Sequence, residues 1–166
     1  MSHCTTQNAT APAAGEAAER GNGRFAGGAA AIDFEQLVAN AGDAIVVSDA
    51  DGAIVVWNAA AERIFGFTPE EALGRTLDLI TPDRHRQRHW DGYRKTMRTG
   101  ETRYGAELLR VPALHKDGRT LSIAFTVSML FGADEMVTGI TAVIRDETER
   151  WNAERAMRRR LAELEA

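Results

Sequence analysis

A second cysteine is missing. With Cys4 alone the chain can form no internal disulfide, which argues against a small secreted fold held by cross-links. No apolar run comes near the roughly 18–20 residues that a bilayer-spanning helix needs. The N-terminus has neither the basic stretch nor the apolar core of a secretory signal. Charge of one sign is not in excess either: 20 basic against 24 acidic residues leave a net charge of −4, with no general pull toward nucleic acid. No internal repeat is visible. These absences lead us to expect a cytoplasmic protein with neither a membrane nor a nucleic acid as partner.

What is present suits one domain with tails. The 166 residues are 44% hydrophobic and 27% charged, ordinary values for a globular chain. Residues 1–31 are mostly small and polar, with Phe25 the only large apolar residue after Met1. Such a segment buries too little apolar area to offset its ordering entropy, so a disordered tail is expected there. Residues 32–148 then form the folded domain, and 149–166 a charged terminal helix.

Within the domain, Phe34, Leu37, Val38 and Ala41 make one stripe of a short amphipathic helix. Two β-branched runs, Ile45-Val46-Val47 and Ile54-Val55-Val56-Trp57, flank Asp49-Ala50-Asp51-Gly52 and predict a hairpin. Asn58 suits the cap of a helix over 59–65 that Gly66 ends. Thr68-Pro69-Glu70-Glu71 opens another short helix. The pattern is helical again from Pro82 to Arg98. Strands are expected over 103–114, 120–130 and 136–145, followed by a helix from Thr148 whose Met157, Leu161 and Leu164 form a seam. Strand runs on both sides of a helical block predict an α+β domain with an antiparallel sheet.

The helical block raises the question of chemistry. In Arg84-His85-Arg86-Gln87-Arg88-His89-Trp90, two of the four histidines stand four apart on one helix face, shared with Tyr93 and Met97. An i, i+4 pair could ligate zinc, but no cysteine or His-Glu-x-x-His motif completes such a site. On the strand 120–130, Ile123, Phe125 and Val127 alternate away from Ser122, Thr126 and Ser128, and should face inward. No nucleophile–base pair can be assembled from these parts, so no enzymatic activity is expected.

Taken in order, several segments resemble the PAS domain over residues 32–148. They are Asp43–Asp49, Gly52–Asn58, Ala61–Glu71, Gly74-Arg75, His115-Lys116-Asp117-Gly118 and Gly139–Thr148. The resemblance implies a five-stranded antiparallel sheet in the order 2-1-5-4-3, with short helices over one face and flanking N- and C-terminal helices. It implies a sensory and dimerisation module of a two-component type, acting on a histidine kinase or other output protein. Asp146 and Thr148 would relay the signal, as in the family's Asp-x-Thr motif. A small-molecule pocket would be lined by His89, Tyr93, Met97, Tyr104, Leu109, Ile123, Phe125 and Val127.

Arg86-Gln87-Arg88-His89 is also similar to the segment of FixL-type oxygen-sensing PAS domains whose histidine binds haem iron. That makes His89, and not His85, the metal ligand if haem is bound. Two positions depart from that type. Leu109 stands where an oxygen-contacting arginine is found, and Tyr93 follows the histidine by four residues instead of three. A photoactive flavin PAS domain would need a cysteine in the helical block, and Cys4 is far from it. The cofactor therefore stays open, with haem one reading and a ligandless dimerisation scaffold another. No kinase, cyclase or DNA-binding segment is visible, so the chain is expected to act in trans or to be a fragment of a larger sensor.

Overall fold

The computed structural model describes residues 32–102 and 107–164. Five strands and five α-helices follow in the order α1 (Phe34–Ala39), β1 (Ala44–Asp49), β2 (Ile54–Trp57), α2 (Ala59–Phe65), α3 (Pro69–Ala72), α4 (Asp83–Thr99), β3 (Leu109–Leu114), β4 (Thr120–Phe131), β5 (Val137–Asp146) and α5 (Thr148–Leu164). A short 3-10 turn, Leu77–Leu79, precedes α4. The strands form one antiparallel sheet in the order β2-β1-β5-β4-β3.

Each element forms for a local reason. In the β1–β2 turn the Asp49 carboxylate accepts from the amides of Asp51 and Ala53, at 3.0 and 2.9 Å, and Gly52 takes φ +82°. Asn58 caps α2 through Ala61 N–H at 3.0 Å, and Thr68 with Glu71 closes a capping box on α3. β1 alternates, with Ala44, Val46 and Ser48 buried and the residues between them half-buried. The inward residues of β1, β4 and β5 meet Trp57, Phe65 and Ile80 in one apolar core.

Of the third strand expected over 103–114, residues 103–106 lie outside the described residues, and Glu107 and Leu108 are not part of it. Its ladder begins at the Leu109–Phe125 pair, and Glu107 and Leu108 lie exposed ahead of it. β3 is an edge strand, and Leu114 N–H turns away from β4 to bond Ile80 carbonyl at 2.9 Å. Pro112, of the same parity, has no N–H to leave unpaired on that side. The expected tail over 1–31 lies outside the described residues.

Both flanking helices join the sheet at one end, because Ala44 at the start of β1 pairs with Ile144 at the end of β5. Asn58 ties α1 there: its amide donates to the carbonyls of Val38 and Asp43, at 3.0 and 3.1 Å, while its oxygen also accepts from Ile45 N–H at 3.0 Å. A two-pronged Arg145–Asp43 pair, at 2.6 and 3.0 Å, spans the same end.

Candidate functional site

Helix α4 lies on the inner face of the sheet and presents His89, Trp90 and Tyr93 to it. Its amphipathic pattern selects that side: Tyr93 is buried and His89, Trp90 and Met97 are half-buried, while Arg88, Asp91 and Arg94 face solvent. Trp90 N–H donates to the Asp78 carboxylate at 2.8 Å, and its ring lies over Gly52. The three aromatic rings pack edge to face along the helix, His89–Trp90 at 5.1 Å and Trp90–Tyr93 at 5.4 Å between centroids.

Tyr93 fastens α4 to the sheet. Its hydroxyl donates to the Asp49 carbonyl, so in the 2.9 Å contact with Ser48 Oγ it is Ser48 that donates. Ser48 Oγ also lies 3.4 Å from the Ile140 carbonyl on β5. The phenol is held above its ordinary pKa by burial, partly offset by the Ser48 hydrogen bond. Ser48 was not singled out from sequence, although a hydroxyl at an inward position of β1 was a signal for it.

His89 differs from its neighbours. Its Nδ1 is buried and has no hydrogen-bond partner. Burial pushes the imidazole below its ordinary pKa, with a smaller upward pull from the Asp78 carboxylate, so the neutral ring is favoured near neutral pH. A neutral, unsatisfied imidazole in an aromatic setting fits a metal ligand such as haem iron on donor chemistry. His85 is engaged otherwise, accepting from Arg84 Nε at 3.1 Å. Among the described residues no cluster of three or more His, Cys, Asp or Glu is arranged to hold a metal ion by itself.

The remaining residues expected in a pocket are spread along the sheet. Leu109 faces the same side as its partner Phe125, and Phe125 and Ile123 belong to the apolar core. Ile123 is six residues along β4 from Met129, the residue at the level of Ser48 and Ile140, which is about 20 Å of extended chain. Val127, opposite Ala142, lies between these levels. Tyr104 lies outside the described residues. The structure thus gathers His89 and Tyr93 with Trp90, Asp78 and Ser48, while Ile123 and Phe125 serve the core.

At the other end of β5, Asp146 and Thr148 form a latch. The Asp146 carboxylate accepts from Thr148 N–H at 2.8 Å and from its hydroxyl at 2.5 Å. The same hydroxyl accepts from Ser122 N–H at 2.9 Å, and Glu147 N–H donates to the Ser122 carbonyl at 2.8 Å. The first residue of α5 is thereby bonded to β4 and β5 together. Arg110, on the outer face, adds an ion pair to Glu147 at 2.9 Å.

Three comparisons place this arrangement among known proteins. A family model of the PAS fold matches residues 32–146. The sensor protein FixL of Bradyrhizobium diazoefficiens is 31% identical over 124 residues, 74% of this chain and 24% of FixL. An uncharacterised protein of Azorhizobium caulinodans is 36% identical over 118 residues, 70% of this chain and 16% of that protein. The chain thus spans a quarter or less of the curated relatives it matches. The crystal structure of a PAS domain from Colwellia psychrerythraea aligns with TM-score 0.61 at 23% identity, covering 70% of this chain and 95% of that one. A sensory box histidine kinase/response regulator from Burkholderia thailandensis aligns with TM-score 0.56 at 19% identity, covering 80% and 97%.

Proposed function

This chain belongs to the PAS family, and from that premise we propose that it works as a non-catalytic sensor module. A small ligand held between α4 and the sheet shifts α4. The Tyr93–Ser48–Ile140 contacts carry the shift to β5, and the Asp146–Thr148 latch passes it to α5. The observation that carries this reading is the Thr148 hydroxyl, bonded at once to Asp146 and to β4, so that displacement of either strand must move the start of α5. The output is a histidine kinase or another protein of the same signalling class. Two copies of the chain act together through α1 and α5.

Native mass spectrometry of protein purified from its own host tests this reading. A bound small molecule is expected, and its removal should speed amide exchange over residues 148–152. Protein without a ligand, with exchange in α5 indifferent to additives, would instead leave a dimerisation scaffold.

His89 supports a more specific form of the same reading, a haem-binding gas sensor. The supporting observation is the buried Nδ1 without a partner on a ring that burial keeps neutral. His89 would hold the iron, and the group would supply a centre for a diatomic gas. Leu109 offers no charged donor to such a gas; hydrogen bonds of that kind contribute roughly 1.5–3 kcal/mol. Hemin reconstitution should then give a Soret band that His89→Ala abolishes and His85→Ala retains. Equal bands in wild type and His89→Ala would exclude His89, and no band in wild type would exclude haem.

A further inference from the structure

A groove of about 820 Å3 runs along the outer side of the β3–β4 edge, between those strands and α5. It is basic in a chain whose net charge is −4: five arginines line it against Glu147 and Glu154. The two carboxylates are already taken. Glu147 holds Arg110 at 2.9 Å and Arg150 at 3.4 Å, and Glu154 holds Arg150 at 3.0 Å. Three guanidiniums are left with weaker partners. Arg155 lies over the Trp151 ring, 5.1 Å from its centroid, and Arg158 approaches Glu154 only to 3.9 Å. Arg84 donates to the His85 imidazole. Trp151 itself is 47% exposed, a large apolar side chain open to the groove.

The free positive charge is spread out. Trp151, Arg155 and Arg158 lie along about 10 Å of one face of α5, and Arg84 faces them from α4. A compact anion such as phosphate could meet only part of this set. An extended peptide can meet more of it, because its alternate side chains stand about 7 Å apart on one side. The same face of α5 is turned by roughly 120° from the Met157–Leu161–Leu164 seam, so occupying one leaves the other free.

We propose that this groove docks an acidic peptide segment of an output protein, with carboxylates on Arg155, Arg158 and Arg84 and an apolar side chain against the open face of Trp151. The site does not depend on the interior of the domain and stands whether or not a ligand is bound beside α4.

The probe is an acetylated, tryptophan-free Glu-Glu-Leu-Glu-Glu peptide, titrated at low salt with tryptophan emission and calorimetry as parallel readouts. A saturable emission change is expected, absent in Trp151→Phe while calorimetric heat remains. Affinity should fall roughly tenfold in Arg155→Ala/Arg158→Ala, two exposed charge contacts together. Arg159→Ala/Arg160→Ala removes the same charge from the same helix outside the groove, and should change affinity less than about twofold. Equal losses in the two double variants would mean diffuse helix charge and overturn the site. So would a titration that never saturates, or full displacement of the peptide by equimolar inorganic phosphate.

Discussion

Gly52 carries two constraints at once. Its φ of +82° lies in the left-handed region, and a Cβ built there would stand 2.3 Å from Trp90 Cη2. Gly52→Ala should therefore cost about 2–4 kcal/mol, roughly 1–2 from backbone strain and the rest from the clash. In a Trp90→Ala background only the strain remains, and a double-mutant cycle by urea denaturation should show that smaller cost. Equal costs in both backgrounds would mean that Trp90 does not rest on the turn. The need for glycine in this turn could be read from the Asp-Gly step. The Trp90 contact could not, because nothing local relates residue 52 to residue 90.

His89 gives a second residue-scale expectation. Its folded-state pKa lies below the unfolded value near 6.5 because burial disfavours the charged ring. The unfolded chain then binds more protons as pH falls through that value. Stability is fully present above about pH 6.5 and is lost as pH drops below it, until the folded ring also protonates. Denaturation midpoints from pH 7.5 down to 5.5 should fall more steeply for wild type than for His89→Leu. Parallel slopes would show that His89 does not titrate differently on unfolding. The spacing of four to Tyr93 was legible from sequence, but the missing partner at Nδ1 was not, since it depends on every element around the ring.

Among the elements, α5 depends most on its first residue. Thr148→Val keeps the volume and removes the hydroxyl, leaving Ser122 N–H without its partner and Asp146 with one bond fewer. A loss of about 1–3 kcal/mol is expected, the cost of stranding a part-buried donor. Hydrogen exchange should localise it: amides of 148–152 and Ser122 exchange faster, and those of β1 stay protected. Global acceleration would mean that the latch holds the whole sheet, not the helix start. Sequence periodicity brought α4 and α5 within a residue or two of their bounds. For the third strand it was early at Glu107 and Leu108, since the start of an edge strand is set by its pairing with β4 across the sheet.

At the scale of the molecule, apolar surface is left open on both flanking helices. Phe34 and Leu37 on α1 are 48% and 56% exposed, and Met157, Leu161 and Leu164 on α5 are all above half. The α5 seam alone spans under two heptads, too short to hold two chains, so both helices are needed. Sedimentation of wild type at micromolar concentration should give a dimer, and Leu37→Asp should shift it toward monomer. A wild-type monomer, unchanged by Leu37→Asp, would count against pairing through these helices. The exposed Arg145–Asp43 pair at the same end is screened by solvent, so it orients the chain between α1 and β1 more than it stabilises the fold.

By itself the sequence determined the order of elements, the turn and cap residues, and the inward faces of the strands. Those follow from propensities and from periods of two and 3.6, which act over a few residues. Only the tertiary structure decided which inward residues share a site. Ile123 and Phe125 share the inward face but lie away from the level of Ser48, and Ser48 and Asp78 were joined to α4 from 45 and 12 residues away. Register sets those meetings, and the register of β1 against β5 and of β4 against β5 is a property of the folded sheet, not of any one segment.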